Sequence, residues 1–247
     1  MTLSTDPLAA WQALPEPARV FADALAVLYE PLAFAHWPEL YAGLGFAKKG
    51  AAAQKAVQSL PDTLRPLLRP KAGRDPGPPV LDAAVSERLM RRLGREPEAL
   101  RRFADQVLRA VPAASLGAAL AGRVDPAVFQ QLLATSLIVN HSRRDLRLAV
   151  HANDFDTALR IAREMQNGDP DRWFMERPLT QLVRCAYDAD WLFQREPRLR
   201  WMMIEDWLGT LVGDLEDPRE VRALLDRCRN APQQQALFFD RLLAQEL

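Results

Sequence analysis

The chain has few cysteines and histidines and no long hydrophobic run, and each shortage excludes a class of protein. Its two cysteines, Cys185 and Cys228, cannot form the disulfide framework of a small secreted domain, which indicates a reducing compartment. The histidines include no His-x-x-x-His pair and the cysteines no Cys-x-x-Cys, so we expect no metal site. No window approaches the roughly 18 uncharged apolar residues of a spanning helix, so we expect no membrane insertion.

Excess charge and signature motifs are also missing. The 32 basic residues balance the 32 acidic ones, whereas a protein that binds nucleic acid without regard to sequence should carry an excess of positive charge. No glycine-rich phosphate loop and no catalytic motif occurs, so we expect no cofactor and no enzymatic activity. The N-terminus shows no basic stretch followed by an apolar run, so no signal peptide is expected. These features favour a soluble cytoplasmic protein and by themselves indicate no function.

The prolines predict helices rather than exclude them. Nine of the 19 prolines directly follow an aspartate or glutamate. Proline is tolerated at the first helical position, and an acidic residue before it suits the helix dipole and can act as the cap. Because alanine and leucine dominate and β-branched alternation is almost absent, we predict an all-α fold, an irregular multi-helix bundle of about ten helices. Predicted helices include Pro31–Leu44, Pro178–Phe193 and Pro197–Val212, and Gly43 and Gly94 fall near helix C-termini, where a positive φ is often required.

One segment interrupts the helical pattern. The stretch Pro70–Pro79 holds four prolines and two glycines in ten residues and cannot be a helix interior. We therefore predict a linker or long surface loop over residues 70–80. It divides an N-terminal helical part, residues 1–69, from a main helical domain, residues 81–247.

Two surface features are candidate protein interfaces. An arginine-rich stretch with Arg91, Arg95 and Arg102 is either a solvated helix face with pairing between neighbouring turns or a patch for an acidic protein partner.

In the predicted helix Pro197–Val212, apolar residues extend well beyond one face. Such a helix lies centrally in the core or contributes to an interface. Its candidate interface residues are Trp201, Met203 and Trp207.

The most specific string is LYEPLAFAHWPEL, residues 28–40. It resembles the N-terminal signature of the SctK family, the YscK and OrgA proteins of type III secretion systems. The family often has proline directly after the histidine, whereas here Trp37 stands between His36 and Pro38. A second, looser similarity to the family is an Arg-Leu-Gly tripeptide followed by an arginine-containing helix, residues 92–102. The matching positions of the first string are Tyr29, Glu30, Pro31, Leu32, Phe34 and His36.

The resemblance implies a non-enzymatic helical adaptor of the injectisome, the apparatus that transports virulence proteins. Such an adaptor links the cytosolic domain of the inner-membrane ring protein to the SctQ-containing pods of the sorting platform. It is cytoplasmic and reaches the inner membrane only through protein contacts. Within the motif we expect structural roles: Pro31 opens a helix, Phe34 packs, and His36 satisfies nearby backbone groups.

A different binding function is the alternative. The strings Glu96–Leu100, Val124–Gln131 and Asp154–Ala158 resemble the C-terminal helical domain of the chaperone adaptor that docks on RuvB-like ATPases. The same strings also follow from ordinary helix capping, since an acidic residue starts each helix. This alternative explains neither the N-terminal motif nor the last part of the chain.

Overall fold

A computed structural model describes residues 7–29, 32–69, 80–111, 142–168, 173, 177–185, 187–208 and 226. The fold is all-α, as the sequence predicts. No helix among these residues combines the length and the apolar character needed to cross a bilayer. The chain divides into two compact units, which we call unit 1 (Met1–Ala152) and unit 2 (Asn153–Leu247).

Unit 1 is built around one central helix. Its helices are α1 (Pro7–Gln12), α2 (Glu16–Leu28), α3 (Trp37–Gly43), α4 (Ala51–Val57), α5 (Leu60–Leu64), α6 (Ala83–Leu93), α7 (Pro97–Ala110) and α8 (residues 142–151). Short 3-10 turns span Phe34–His36 and Arg65–Leu67. Every residue of α2 from Phe21 to Leu28 is buried, and α2 packs against α5, α6 and α7. A helix that is buried on all sides lies in the middle of a core.

Two glycines of unit 1 allow helices to approach closely. A Cβ at Gly43 would lie 2.2 Å from the Cβ of Ala110, and a Cβ at Gly94 would lie 2.4 Å from the carbonyl oxygen of His151. Gly43 ends α3 and Gly94 follows α6, as predicted, but neither has a positive φ, and Gly94 has φ −70°. The reason for glycine is therefore the absent side chain and not the left-handed conformation.

The two sides of the Pro-rich segment belong to the same core. The backbone N–H of Arg69 donates to the carbonyl of Val80 at 2.8 Å, and that of Asp82 donates to Leu67 at 2.9 Å. Buried leucines before and after the segment share the core of unit 1. Residues 70–79 themselves lie outside the described part of the chain. The boundary between the compact units lies at residues 152–153, not at the predicted segment 70–80.

Unit 2 is organised around its last described helix. It contains α9 (Phe155–Gly168), α10 (Pro178–Arg184), α11 (Ala189–Phe193) and α12 (Pro197–Leu208), and α12 packs against the other three. Asp206 of α12 accepts hydrogen bonds from the backbone N–H and hydroxyl of Thr180 at 2.9 and 3.0 Å. This pair ties α12 to the first turn of α10.

Some of the described helices start as the acid-proline pairs predict. Three acid-proline pairs place proline at the first position of α1, α7 and α12. The predicted helix Pro178–Phe193 is instead two helices, α10 and α11. The break occurs because Asp188 is extended, with φ −147°, and its side chain accepts the N–H of Trp191 as a new N-cap. The described part of the predicted helix Pro31–Leu44 begins as the 3-10 turn at Phe34 before α3.

Candidate functional site: the motif segment and the groove beside it

The first motif residue, Tyr29, ends α2 in the left-handed conformation, with φ 59°. This conformation is unfavourable for a bulky side chain, so surrounding contacts must hold it. The guanidinium of Arg147 lies over the Tyr29 ring, 4.7 Å from its centroid. Leu32 is buried, whereas Glu30 and Pro31 lie outside the described residues. The motif thus begins at a turn that a cation–π contact covers.

In the rest of the motif string, the tryptophan is buried in the core and the phenylalanine is partly exposed to solvent. Trp37 is fully buried, and its indole N–H donates to the carbonyl of Leu32 at 3.1 Å. Phe34 lies against Trp37, with ring centroids 5.3 Å apart, but is 43% exposed, so it packs less completely than expected. The Nδ1 of His36 lies 3.4 Å from a carboxylate oxygen of Glu39, so its observed partner is a side chain rather than a backbone group.

A groove of about 960 Å³ opens beside the motif in unit 1. Ala35, Pro38 and Glu39 of the motif string line one side of it. The other lining residues come from the α3–α4 region and from α7, namely Gly43, Lys49, Gly50, Gln54, Arg102, Asp105, Gln106, Arg109 and Ala110. The two segments that resemble the SctK family, residues 28–40 and 92–102, therefore both contribute to this groove. The amide of Gln106 donates to the carbonyl of Gly43 at 3.0 Å and ties α7 to α3.

The three arginines proposed as an interface do not share one surface. Arg91 is buried, at 8% exposure, whereas Arg95 and Arg102 are exposed. Of the three, Arg102 lines the groove. Neighbouring Arg101 pairs with Glu98 on the same helix, as the solvated-face interpretation predicts. The patch interpretation is therefore wrong for Arg91.

The three residues proposed as an interface on α12 are mostly core. Met203 is completely buried and Trp207 is 1% exposed, with the ring of Tyr187 5.6 Å from that of Trp207. Trp201 is partly exposed. A side chain sealed in the core of unit 2 cannot contact a partner, so the core alternative describes Met203 and Trp207. The broad apolar surface of α12 serves its packing against α9, α10 and α11.

Unit 1 also contains a buried charged network that the sequence gives no sign of. Arg147 of α8 donates from Nε to Glu87 at 2.6 Å and from Nη2 to the hydroxyl of Ser86 at 3.0 Å. Its Nη1 donates to the carbonyl of Ala26 in α2. The second carboxylate oxygen of Glu87 lies 2.9 Å from Nε2 of His151. The network joins α2, α6 and α8, and the side chains of Arg147, Glu87 and His151 are at most 3% exposed.

The pKa values of this network fix its protonation at neutral pH. Burial raises the pKa of Glu87, but Arg147 and His151 outweigh burial and lower it to about 2. Burial lowers the pKa of His151 to about 4, against the opposing effect of Glu87. At neutral pH Glu87 is ionised and His151 is neutral, so Nε2 carries the proton and donates it to the carboxylate. The three side chains are buried in unit 1 and do not line the groove.

A second buried carboxylate lies between α2 and α6. Asp23 is 6% exposed, and Arg92 donates to it at 2.6 Å while lying over the Trp11 ring, 4.1 Å from its centroid. Burial raises the pKa of Asp23 to about 6, although Arg92 opposes the shift. The folded protein therefore holds this proton more tightly than the unfolded chain. The contribution of Asp23 to stability is full below about pH 4 and is lost as the pH rises through about 6.

We expect Asp23→Asn to gain stability relative to wild type as the pH rises from about 4 to about 7. The amide cannot ionise, so the variant escapes a cost of up to roughly 3 kcal/mol. Urea unfolding of both proteins across this pH range measures the difference in their free energies of unfolding. The other titrating groups are the same in both proteins, so their effects cancel in this difference. Asp62→Asn, which removes an exposed carboxylate paired with Arg65, is the control. Parallel stability profiles for wild type and Asp23→Asn would contradict the prediction.

No family model, curated protein or solved structure matches this chain. In the described residues no group of three histidine, cysteine or acidic side chains is placed to hold a metal ion. Two strings of the alternative resemblance start helices: Glu96 precedes α7, and Asp154 accepts the N–H of Thr157 at 3.1 Å before α9. The string Val124–Gln131 lies outside the described residues. The two described strings are thus accounted for by helix starts.

Proposed function

We propose that this chain is a non-enzymatic cytoplasmic adaptor of a type III secretion system. It would link the cytosolic domain of the inner-membrane ring protein to an SctQ-like pod protein of the sorting platform. It reaches the inner membrane through these protein contacts and binds no nucleic acid. The resemblance of residues 28–40 and 92–102 to the SctK family names the system, and the all-α fold is compatible with it.

One observation carries the proposal that the motif segment contacts a partner. Among the large apolar side chains of the described residues, the exposed ones are Tyr29 at 38%, Phe34 at 43% and Val80 at 39%. Two of these three belong to the motif. Aromatic residues are enriched where proteins bind one another, because they bury a large area with few rotatable bonds. Phe34 also shares its 3-10 turn with Ala35, which lines the groove.

The contrast between Phe34 and its buried neighbour provides the test. We expect Phe34→Ala to weaken binding to the ring-protein domain or to the SctQ-like protein by about 1–2 kcal/mol, as exposed aromatic anchors do. Its cost to the free energy of unfolding should be no more than about 1 kcal/mol, because the side chain is already partly in water. Co-purification with each partner and urea unfolding measure the two effects.

Trp37→Ala is the matched control. Trp37 lies three residues further along and is fully buried, so its loss should cost about 3–5 kcal/mol of stability. Binding lost by Phe34→Ala together with a comparable loss of stability would contradict a contact role for Phe34. Failure of the wild-type protein to bind either partner would contradict the proposed function.

A further inference from the structure

The groove of unit 1 carries more positive than negative side chains. Lys49, Arg102 and Arg109 line it, all three are exposed, and none forms an ion pair with another residue in the described part of the chain. Two carboxylates, Glu39 and Asp105, also line it, and Glu39 lies beside His36. A groove whose cations lack partners attracts a negatively charged ligand.

The spacing of the two arginines indicates the form of that ligand. Arg102 and Arg109 are seven residues apart on α7, which places them about 10 Å apart along the axis and within about 20° of one face. A peptide extended in the polyproline II conformation advances about 3.1 Å per residue with three residues per turn, so carboxylates three residues apart lie on one side of it and about 9 Å apart, close to this distance. Each arginine can hold one carboxylate through two parallel hydrogen bonds.

We propose that this groove binds an extended acidic segment of a protein partner, with carboxylates three residues apart that pair with Arg102 and Arg109. Lys49 faces the same segment from the other wall. Glu39 and Asp105 oppose a ligand with a charge at every position, as a nucleic acid has, but leave room for the uncharged residues between two carboxylates. The inference rests on the proposed function only in taking the partner to be a protein of the sorting platform.

Fluorescence anisotropy with a short labelled peptide, glutamate at every third position, tests the proposal. At low ionic strength wild type should bind this peptide, and the same peptide with glutamine should bind at least about tenfold more weakly. Arg102→Ala and Arg109→Ala should each weaken binding of the glutamate peptide about tenfold. Arg101→Ala is the matched control, since Arg101 is adjacent on the same helix but does not line the groove, and we expect a change below about twofold.

Any of three comparisons of binding would overturn the proposal. They are equal binding of the glutamine peptide, an equal loss in Arg101→Ala, and tighter binding of a single-stranded oligonucleotide of the same charge. Absence of peptide binding to wild type would also overturn it. If the sorting-platform partners co-purify but the peptide does not bind, the groove assignment fails and the proposed function stands. If the peptide binds through Arg102 and Arg109 but no partner co-purifies, the groove assignment stands and the proposed function fails.

Discussion

Replacing Arg147 by alanine should lower the free energy of unfolding by about 3–5 kcal/mol, because it leaves the ionised Glu87 buried without its cation. Arg147 also donates to Ser86 and to the carbonyl of Ala26, and these acceptors lose their donor in the same step. Urea unfolding at neutral pH measures the loss. Arg160→Ala removes an exposed pair with Glu164 and should change stability by less than about 1 kcal/mol.

A double variant separates the charge from the packing. Replacing Glu87 and Arg147 together by methionine removes both buried charges and keeps most of the volume, so it should recover much of the stability that Arg147→Ala loses. If Arg147→Ala and Arg160→Ala have the same small effect, Arg147 does not compensate Glu87 in the folded protein. If the double methionine variant recovers no stability relative to Arg147→Ala, the uncompensated charge of Glu87 is not the dominant loss, and the hydrogen bonds to Ser86 and Ala26, which both variants lack, account for it.

Trp207→Ala should lower the free energy of unfolding of unit 2 by about 3–5 kcal/mol, because it leaves a cavity where the buried indole ring packs. Hydrogen exchange should show the lost protection in α10 and α12, which pack against each other, while α2 and α6 keep theirs. Trp201→Ala, at a partly exposed position of the same helix, should cost less than half as much. Equal losses for the two variants would contradict the placement of Trp207 in the core.

The fold class could be predicted from the sequence because its signals are local. A proline after an acidic residue favours the first turn of a helix through local chemistry alone, and Pro97 and Pro197 begin helices for this reason. The position of Gly94 at the end of α6 was also predictable. Its reason was not, because the carbonyl of His151 that excludes a Cβ comes from a distant part of the chain.

The candidate site could be predicted only in part. Residues 28–40 could be predicted as a candidate through their resemblance to a family signature, and they do border the groove. Periodicity could not decide between core and interface for Trp207, since an apolar surface has the same pattern whichever neighbour covers it. Glu87 and Arg147 look like ordinary surface charges in their local sequences, and only the tertiary fold pairs them across 60 positions.

The long sequence separation between Arg147 and its hydrogen-bond partners has a consequence for synthesis on the ribosome. Its partners Glu87, Ser86 and Ala26 precede it by 60, 61 and 121 positions. In a nascent chain that ends before α8, the Glu87 carboxylate therefore has no Arg147 cation to pair with. Unit 1 cannot complete its core around Glu87 until Arg147 has left the ribosome. Shortened products that stop before Ala152 should be removed by proteases, and a fragment for studying the motif and its groove has to extend through that residue.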